Sequence, residues 1–385
     1  MSDSKLATDA DVLVVGAGQA GLGAGMALRQ SGLSFMIVDA ADQPGGSWPR
    51  YYDSLTLFSP ARFSALQGLR LPGRPGRYPS RDDMTRYLRD YATHFQLPVR
   101  TGSRVLDISW EGEAFEITLD DSDRLTARAV IAASGGFGRP LIPELPGATS
   151  YTGRLLHSAS YQKADGYAGQ RVVVVGAGNS AIQIAVELAE VADVTLATRA
   201  PIRFVQQAPL GIDLHYWTRW SGLETLPRGR RIPSRPRVLD DGRYAAAVAA
   251  GRPDQRRMFK RLTPVGVIWS DGTHEQIDSV ILATGYRPDV DYLASTGALD
   301  DGGWPIHCHG LSLTVPRLGY VGLPNQTGIA SATVRGVGAD AGRVTRYLRR
   351  TIRGQEPHPS RCSTTAQAAR HRAEVGVSGV RWEPS

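Results

Sequence analysis

The chain has 385 residues, 42% of them hydrophobic and 21% charged, with a formal net charge of +7, which allows two or three domains with ample core. Its two cysteines, Cys308 and Cys362, exclude a disulfide framework; His307, Cys308 and His309 read as a polar loop and no metal is expected, because a second ligand cluster is missing. No apolar run reaches the roughly 18 residues of a membrane helix, and Met1–Ala10 is polar and acidic, unlike a signal peptide, so the expectation is a cytoplasmic enzyme with no membrane partner.

Residues 11–40 read as strand, helix, strand. The apolar run Asp11–Val15 leads into Gly16-Ala17-Gly18-Gln19-Ala20-Gly21, followed by Leu22, Met26, Leu28 and Leu33 at helical spacing. This is a dinucleotide fingerprint. The first glycine permits a tight turn, the second lets backbone approach a pyrophosphate, and the third packs helix against strand. Free amides and the helix dipole then face the phosphates. Counting 23 positions from Gly16 reaches Asp39, at the end of Phe35–Asp39. An acid there suits the hydroxyls of a plain ribose.

Residues 41–80 are irregular, punctuated by glycine, proline and aromatics. Ser80 and Asp83 predict a capping box for a helix carrying Met84, Tyr87, Leu88, Tyr91 and Phe95. Val105–Ile108, Phe115–Leu119 and Ala129–Ala133 predict a meander that returns to the first sheet and closes at Ala133-Ser134-Gly135.

A second fingerprint, Gly176-Ala177-Gly178-Asn179-Ser180-Ala181, follows Arg171–Val175 and precedes Ile182, Ile184, Val186 and Leu188. Ala181 replaces the third glycine, which predicts a slightly wider helix–strand contact. The same count of 23 reaches Arg199, whose planar fork suits a 2′-phosphate; a solvated strand-end arginine is the alternative. Both features agree on NADP(H). Ile277–Tyr286 repeats the apolar strand, small residue, Ser/Thr, Gly ending of the first unit, so the architecture itself reads as repeated. Between them, residues 200–262 form a proline- and arginine-rich insert. From Arg219 to Arg261 there are 12 Lys/Arg against 4 Asp/Glu, a local +8 that accounts for the whole net charge. It is either a solvated loop-rich segment or a rim attracting an anionic nucleotide or substrate; no nucleic-acid motif accompanies it. Leu318–Gly322 reads as a strand, Val337–Leu348 as a helix, and the chain beyond Gly354 as a loosely held polar extension.

Together these residues resemble the class B flavin-dependent monooxygenases, which carry FAD and NADPH sites on one chain. The resemblance covers roughly residues 10–350 and rests on the two fingerprints, on Gly45-Gly46-Ser47-Trp48, on Tyr151, Gly153, His157 and Tyr161 as the spaced identifying motif with one aromatic exchanged, and on Leu282–Tyr286. Tyr52–Pro60, running on to Leu66, is most similar to the YUCCA-type and bacterial metal- or arsenic-operon-associated branch. The implied fold is α/β with two dinucleotide-binding (Rossmann-like) domains of the FAD/NAD(P)-binding disulfide-reductase-like type. Residues 1–150 would be the first part of the FAD-binding domain, 151–285 the NADPH-binding domain with the basic insert, 286–350 the second FAD part, and 351–385 a polar extension.

The resemblance implies that Gly16, Gly18, Gln19, Ala20, Gly21, Asp39, Ala40, Gly46, Ser47, Trp48 and Val105 hold FAD, that Gly176, Gly178, Asn179, Ser180, Ala181 and Arg199 hold NADPH, and that Thr284 and Gly285 also bind cofactor. Trp48 is equally well a core residue. Hydride would pass from NADPH to FAD, and oxygen would then reach a small organic or metalloid substrate through a C4a-(hydro)peroxyflavin, by N or S oxidation or Baeyer–Villiger insertion. The asparagine that several family members place beside the flavin is absent from Ser54–Ser59. His157, Gln326 and Ser59 are the candidate catalytic residues, with a structural or linker role for His157 and a packing role for Gln326 as the alternatives. An uncoupled NADPH oxidase, a flavin reductase (though no Cys-x-x-Cys is present) and a non-catalytic nucleotide-responsive partner protein are the competing functions. The expected partners are a small-molecule substrate and O2, with a homodimer left open.

Overall fold

Each valine-rich run becomes a central strand of its own parallel sheet in the computed structural model, which describes residues 8–221 and 237–355. The first sheet grows from β1 (Ala10–Val15), which turns into α1 (Gln19–Ser31) and returns as the parallel β2 (Phe35–Val38). After an excursion with only short 3-10 turns comes α2 (Arg81–His94). The expected capping box forms: the Ser80 hydroxyl accepts the Asp83 amide, and the Asp83 carboxylate accepts the Ser80 amide. β3 (Val99–Arg100) extends the edge beside β2. β4 (Val105–Trp110), β5 (Phe115–Leu119) and β6 (Arg124–Ala132) make the antiparallel meander, and β6 lies parallel beside β1.

The second sheet holds β7 (Arg154–His157), β8 (Arg171–Val175), α3 (Asn179–Leu188) and β9 (Asp193–Thr198). Next come β10 (Arg203–Gln206), α4 (Leu214–Trp220), β11 (Arg237–Asp240) and α5 (Arg243–Ala249), with β10 and β11 paired in parallel. β12 (Asp254–Arg257) then pairs with β9. A small antiparallel sheet follows in β13 (Arg261–Thr263), β14 (Gly266–Ile268) and β15 (His274–Gln276). β16 (Ser279–Leu282) inserts between β8 and β7. The chain finally re-enters the first sheet through β17 (His307–Cys308), β18 (Leu311–Ser312) and β19 (Leu318–Tyr320), which pairs with β6, and ends its described part in α6 (Val337–Ile352), packed on α1.

The unbroken apolar runs follow from burial on both faces. Successive strand side chains point to opposite sides, so a strand covered twice has no polar positions. Val12 and Val14 face the helices, with Leu22, Met84 and Leu88; Leu13 and Val15 face the meander, with Ile108, Phe115 and Ile117. The second unit repeats this. Val172 and Val174 meet Ile182 and Ile184 of α3, while Val173 and Val175 meet Phe259, Leu262, Val267 and Trp269 on and beside the small sheet.

The reading of residues 200–262 as a loop-rich interruption needs correction. Its described parts carry regular structure, and β12 belongs to the second sheet itself. Asp254-Gln255-Arg256-Arg257 lacks any apolar residue because an edge strand is held by backbone pairing. Its side-chain contacts are polar-headed: the Arg256 guanidinium lies 4.2 Å over the Trp269 ring and pairs with Asp271 and Glu275. The centre of the insert, the N-terminal segment and the extension beyond residue 355 lie outside the described residues. No described helix is long and apolar enough to cross a membrane.

The two fingerprints differ at the third position as the sequence suggests. A Cβ on Gly21 would overlap the Gly16 carbonyl oxygen, whereas Ala181 already places a buried methyl at the equivalent contact. Gly21→Ala should therefore cost about 3 kcal/mol or more through overpacking, and Ala181→Gly only about 1 kcal/mol through helix propensity. Thermal denaturation of both variants checks this; equal losses would contradict the difference in helix approach.

Candidate functional site

The first loop presents the N-terminus of α1 without a competing anion. Gly18, its N-cap, makes no side-chain cap, and no acidic residue lies in the first turn. The loop closes from both sides. Gly16, at φ +104°, sits against the carbonyl of Ala133, and Gly176, at φ +144°, sits the same way against Ala283. Gly46 backs onto Gly18 so closely that a Cβ on it would lie 2.7 Å from the Gly18 Cα, and the Gly45 amide donates to the Ala17 carbonyl at 3.1 Å. A side chain at either glycine would fill the space in front of the helix amides. Such a cradle fits a pyrophosphate.

Asp39 ends β2 and is buried. Its carboxylate accepts the amides of Ala17 at 2.5 Å and Ala41 at 2.8 Å, which ties the strand end to the glycine loop; Ala40 lies exposed between them. The Ser103 amide donates to the Asp39 carbonyl at 2.9 Å, so Val105 begins β4 two residues from that contact. Gln19 bridges two segments: its Oε1 accepts the Trp48 indole N–H and its Nε2 donates to the Ala332 carbonyl, each at 2.8 Å. Ser47 opens the 3-10 turn Trp48–Arg50. Trp48 is thus a half-buried wedge between the first loop and the returning chain, packed against the core and hydrogen-bonded at its tip. Ala20 meets the same returning chain at Gly322.

The second loop repeats the uncapped start. Gly178 caps α3 without a side chain, and the first turn, with Asn179, Ser180 and Ala181, carries no acid. Arg199 follows β9 directly. It is exposed, and it makes no hydrogen bond or ion pair among the described residues. The Gly176 amide donates to the Ala197 carbonyl at 3.1 Å, which puts the arginine two residues beyond the loop's own anchor.

A short strip joins the two loops. Tyr52 donates to Gln183 of α3 at 2.9 Å, Ser54 donates to Glu187 at 2.6 Å, and Gln183 donates to the Thr56 carbonyl at 3.2 Å. The two repeated strand ends also cross. Leu141 donates to the Gly285 carbonyl, Thr284 donates to the Leu141 carbonyl, and the Ser134 hydroxyl donates to the Asp289 carbonyl. Phe137 stacks on Tyr286 at 5.3 Å.

His157 lies in this crossing. Its Nδ1 accepts the Ala159 amide at 3.0 Å, its ring stands edge-on to Tyr286 at 5.1 Å, and no carboxylate contacts it among the described residues. Its contacts are thus with backbone and an aromatic ring at the junction of the two units. Ser59 is buried, with its hydroxyl 2.8 Å from that of Ser64. Gln326 is buried beside Gly310; its Oε1 accepts the Leu323 amide at 3.3 Å and its Nε2 has no partner among the described residues. His307 Nδ1 accepts the Gly310 amide and His309 Nδ1 lies 3.4 Å from the Gln326 carbonyl; among the described residues no group of three His, Cys, Asp or Glu is placed to hold a metal.

One constellation escaped the sequence reading. Asp213, the N-cap of α4, accepts the His215 amide at 2.8 Å, the His215 Nδ1 at 2.7 Å and the Tyr78 hydroxyl at 2.5 Å. Burial pushes the Asp213 carboxyl up, but the His215 and Tyr78 hydrogen bonds outweigh it and the net shift is downward. Burial and the same hydrogen bond push the Tyr78 phenol up. The His215 ring lies nearly parallel to Phe58 at 6.2 Å and to Phe63 at 5.8 Å; Tyr216 meets Phe63 edge-on at 4.8 Å, and the Arg335 guanidinium lies 5.9 Å from the Phe63 centroid. Gln207 donates to the Phe58 carbonyl at 3.1 Å. Residues 58–78, 207–216 and 335 therefore meet. The sequence signal is an Asp-x-His at a helix start, which is too short to stand out until a distant tyrosine is known to join it.

The pyridine nucleotide-disulphide oxidoreductase family matches residues 13–230. A CzcO-like oxidoreductase of Geobacillus kaustophilus is 34% identical over 335 residues, 86% of this chain and 96% of its own. The rice indole-3-pyruvate monooxygenase YUCCA1 is 28% identical over 74% of this chain and 79% of its own. The solved flavin-containing monooxygenase of Stenotrophomonas maltophilia is 35% identical, with a TM-score of 0.79 over 88% of this chain and 98% of that one.

Burial lowers the His157 imidazole below its ordinary value, with the Gly285 backbone opposing in part. Between the lowered value and the ordinary one, about 6.5, the unfolded chain binds more protons than the folded protein. Stability is then full above that range and lost as pH falls through it. His157→Asn should flatten the decline of Tm between about pH 7 and about pH 5; thermal denaturation giving parallel slopes for the two proteins would contradict the buried neutral imidazole.

Proposed function

The chain belongs to the class B flavin-dependent monooxygenases, enzymes that use FAD and NADPH, and from that premise we propose how its own residues divide the work and what they act on. The observation that carries the proposal is the pair of uncapped fingerprint helices with opposite strand-end side chains, a buried Asp39 and an exposed Arg199 unpaired among the described residues. When bound, the flavin accepts hydride from the nicotinamide and activates oxygen. Everything else falls to the chain.

On this reading the amides of α1 and the Gly18–Gly46 cradle hold the FAD pyrophosphate, and Asp39 takes the adenosine ribose. It already accepts two amides, and a carboxylate has lone pairs left for hydroxyl donors. The amides of α3 take the NADPH pyrophosphate. Arg199 has no intramolecular partner among the described residues to give up, which leaves its fork for the 2′-phosphate. Trp48 and Gln19 hold the returning chain against the first loop, and the Tyr52–Thr56 strip sets the second unit against it. Phe58, Phe63 and Tyr216 offer flat apolar faces that exclude water from the reacting region. The substrate class that suits these faces is a small apolar molecule carrying a nitrogen, sulfur or carbonyl centre; the rice relative is an indole-3-pyruvate monooxygenase. On the same division, residues 1–150 and 286–350 hold FAD and residues 151–285 hold NADPH.

A second reading, an NADPH oxidase that releases peroxide, is favoured by one observation. Ser54–Ser59 offers no carboxamide, and the Ser59 hydroxyl is engaged with Ser64. NADPH consumption and peroxide release in air, with and without candidate sulfides, amines and ketones, separate the two. Oxygen transfer predicts that peroxide falls below NADPH consumed when a substrate is present; equality under every condition contradicts it. Arg199→Ala should raise the KM for NADPH by about tenfold to a hundredfold, as loss of a charge-assisted hydrogen bond implies, with little change for NADH. Steady-state kinetics with both nucleotides check this, and equal losses would remove Arg199 from the phosphate site.

A further inference from the structure

The Tyr78–Asp213–His215 network has the build of a binding group rather than of a fold contact. Two segments, 135 residues apart at Tyr78 and Asp213, are spent on orienting one imidazole. The side chains of His215 and Asp213 are 6% and 9% exposed. Asp213 is held from three sides, by the His215 amide, the His215 ring and the Tyr78 hydroxyl. A carboxylate only accepts, so the neutral tautomer that it selects carries its proton on Nδ1 and presents the lone pair on Nε2. Nε2 has no hydrogen-bond partner among the described residues. Nε2 is not among the enclosed unpaired side-chain atoms, so a donor can reach it from the open side of the cluster. The ring also lies against two phenyl groups, and Phe58 is 38% exposed, so the cluster opens outward.

We propose that His215 is a substrate-anchoring residue, whose Nε2 accepts a hydrogen bond from an O–H or N–H donor on a flat apolar substrate seated against Phe58 and Phe63. This deepens the monooxygenase reading and rests on it in one respect: the resemblance puts the Ser54–Ser59 segment, which carries Phe58, beside the flavin. Tyr78 and Asp213 are positioning residues, since they act through the imidazole. The chemistry selects ligands that are planar at one end and carry a single donor, and it disfavours those that offer only an acceptor there, because two lone pairs would then face each other.

The probes are para-(methylsulfanyl)phenol and its methyl ether, which share a sulfide and a ring and differ in the donor. Each is titrated into the oxidised, FAD-loaded protein without NADPH, and the flavin absorbance change gives Kd. The wild type should bind the phenol about tenfold more tightly than the ether, the span of one hydrogen bond. His215→Phe should abolish that preference by weakening the phenol and not the ether, while His215→Gln, which keeps an acceptor, should restore part of it. Tyr78→Phe, which leaves every ring in place, should reduce the preference about threefold by loosening Asp213, and serves if the His215 variants do not load FAD. Equal binding of the two probes by the wild type, no absorbance change with either, or a preference that survives His215→Phe or is untouched by Tyr78→Phe would overturn the proposal. Because no turnover is involved, an enzyme that proves to be an uncoupled oxidase can still pass this test, and an oxygen-transferring enzyme can still fail it.

Discussion

The arrangement depends on one short strip of backbone, Gly45 to Thr56, pinned at both ends. At its start the Gly45 amide bonds the first fingerprint loop and Gly46 lies against Gly18. At its end Tyr52, Ser54 and Thr56 engage Gln183 and Glu187 on the second fingerprint helix. Two loops 160 residues apart in sequence are thereby set against each other by a handful of hydrogen bonds, each worth only about 1 kcal/mol net. Hydride transfer between two nucleotides needs such a fixed relation, because misplacement of the reacting atoms by even one ångström is expensive.

The strip works because the units it joins are rigid. Each rests on a strand buried on both faces, and each first glycine is locked under the carbonyl of a repeated strand end, Ala133 or Ala283. Those same strand ends then cross at Leu141, Thr284 and Gly285, with Phe137, His157 and Tyr286 filling the crossing. A buried imidazole whose pKa is held down fills that crossing without a carboxylate partner among the described residues.

Much of the scaffold is legible in the sequence because it obeys local rules. Val12–Val15 and Val172–Val175 announce twice-covered strands, the glycine spacing announces the turns, and Ser80 with Asp83 announces a helix start. β12 is not legible, since an edge strand of Asp, Gln and two Arg has no apolar period to read. The link between Tyr52 and Gln183 is not legible either, because nothing in either segment encodes a partner 131 positions away. The same holds for Tyr78, Asp213 and His215, whose relation exists only after the insert folds back over residues 58–78. Loop positions set by backbone geometry, such as Gly16, Gly18 and Gly176, are therefore visible in advance, while contacts set by long-range side-chain pairing are not.

The central claim is that the chain keeps two adenine-nucleotide beds of different chemistry, one for plain ribose at Asp39 and one for its phosphorylated form at Arg199. Titration of the FAD-loaded protein with adenosine 2′,5′-bisphosphate and with 5′-AMP, followed by anaerobic reduction with NADPH, tests it most directly. The account predicts that the bisphosphate blocks flavin bleaching far more strongly than 5′-AMP while all the FAD stays bound. Release of FAD by the bisphosphate, or equal inhibition by the two compounds, would contradict it.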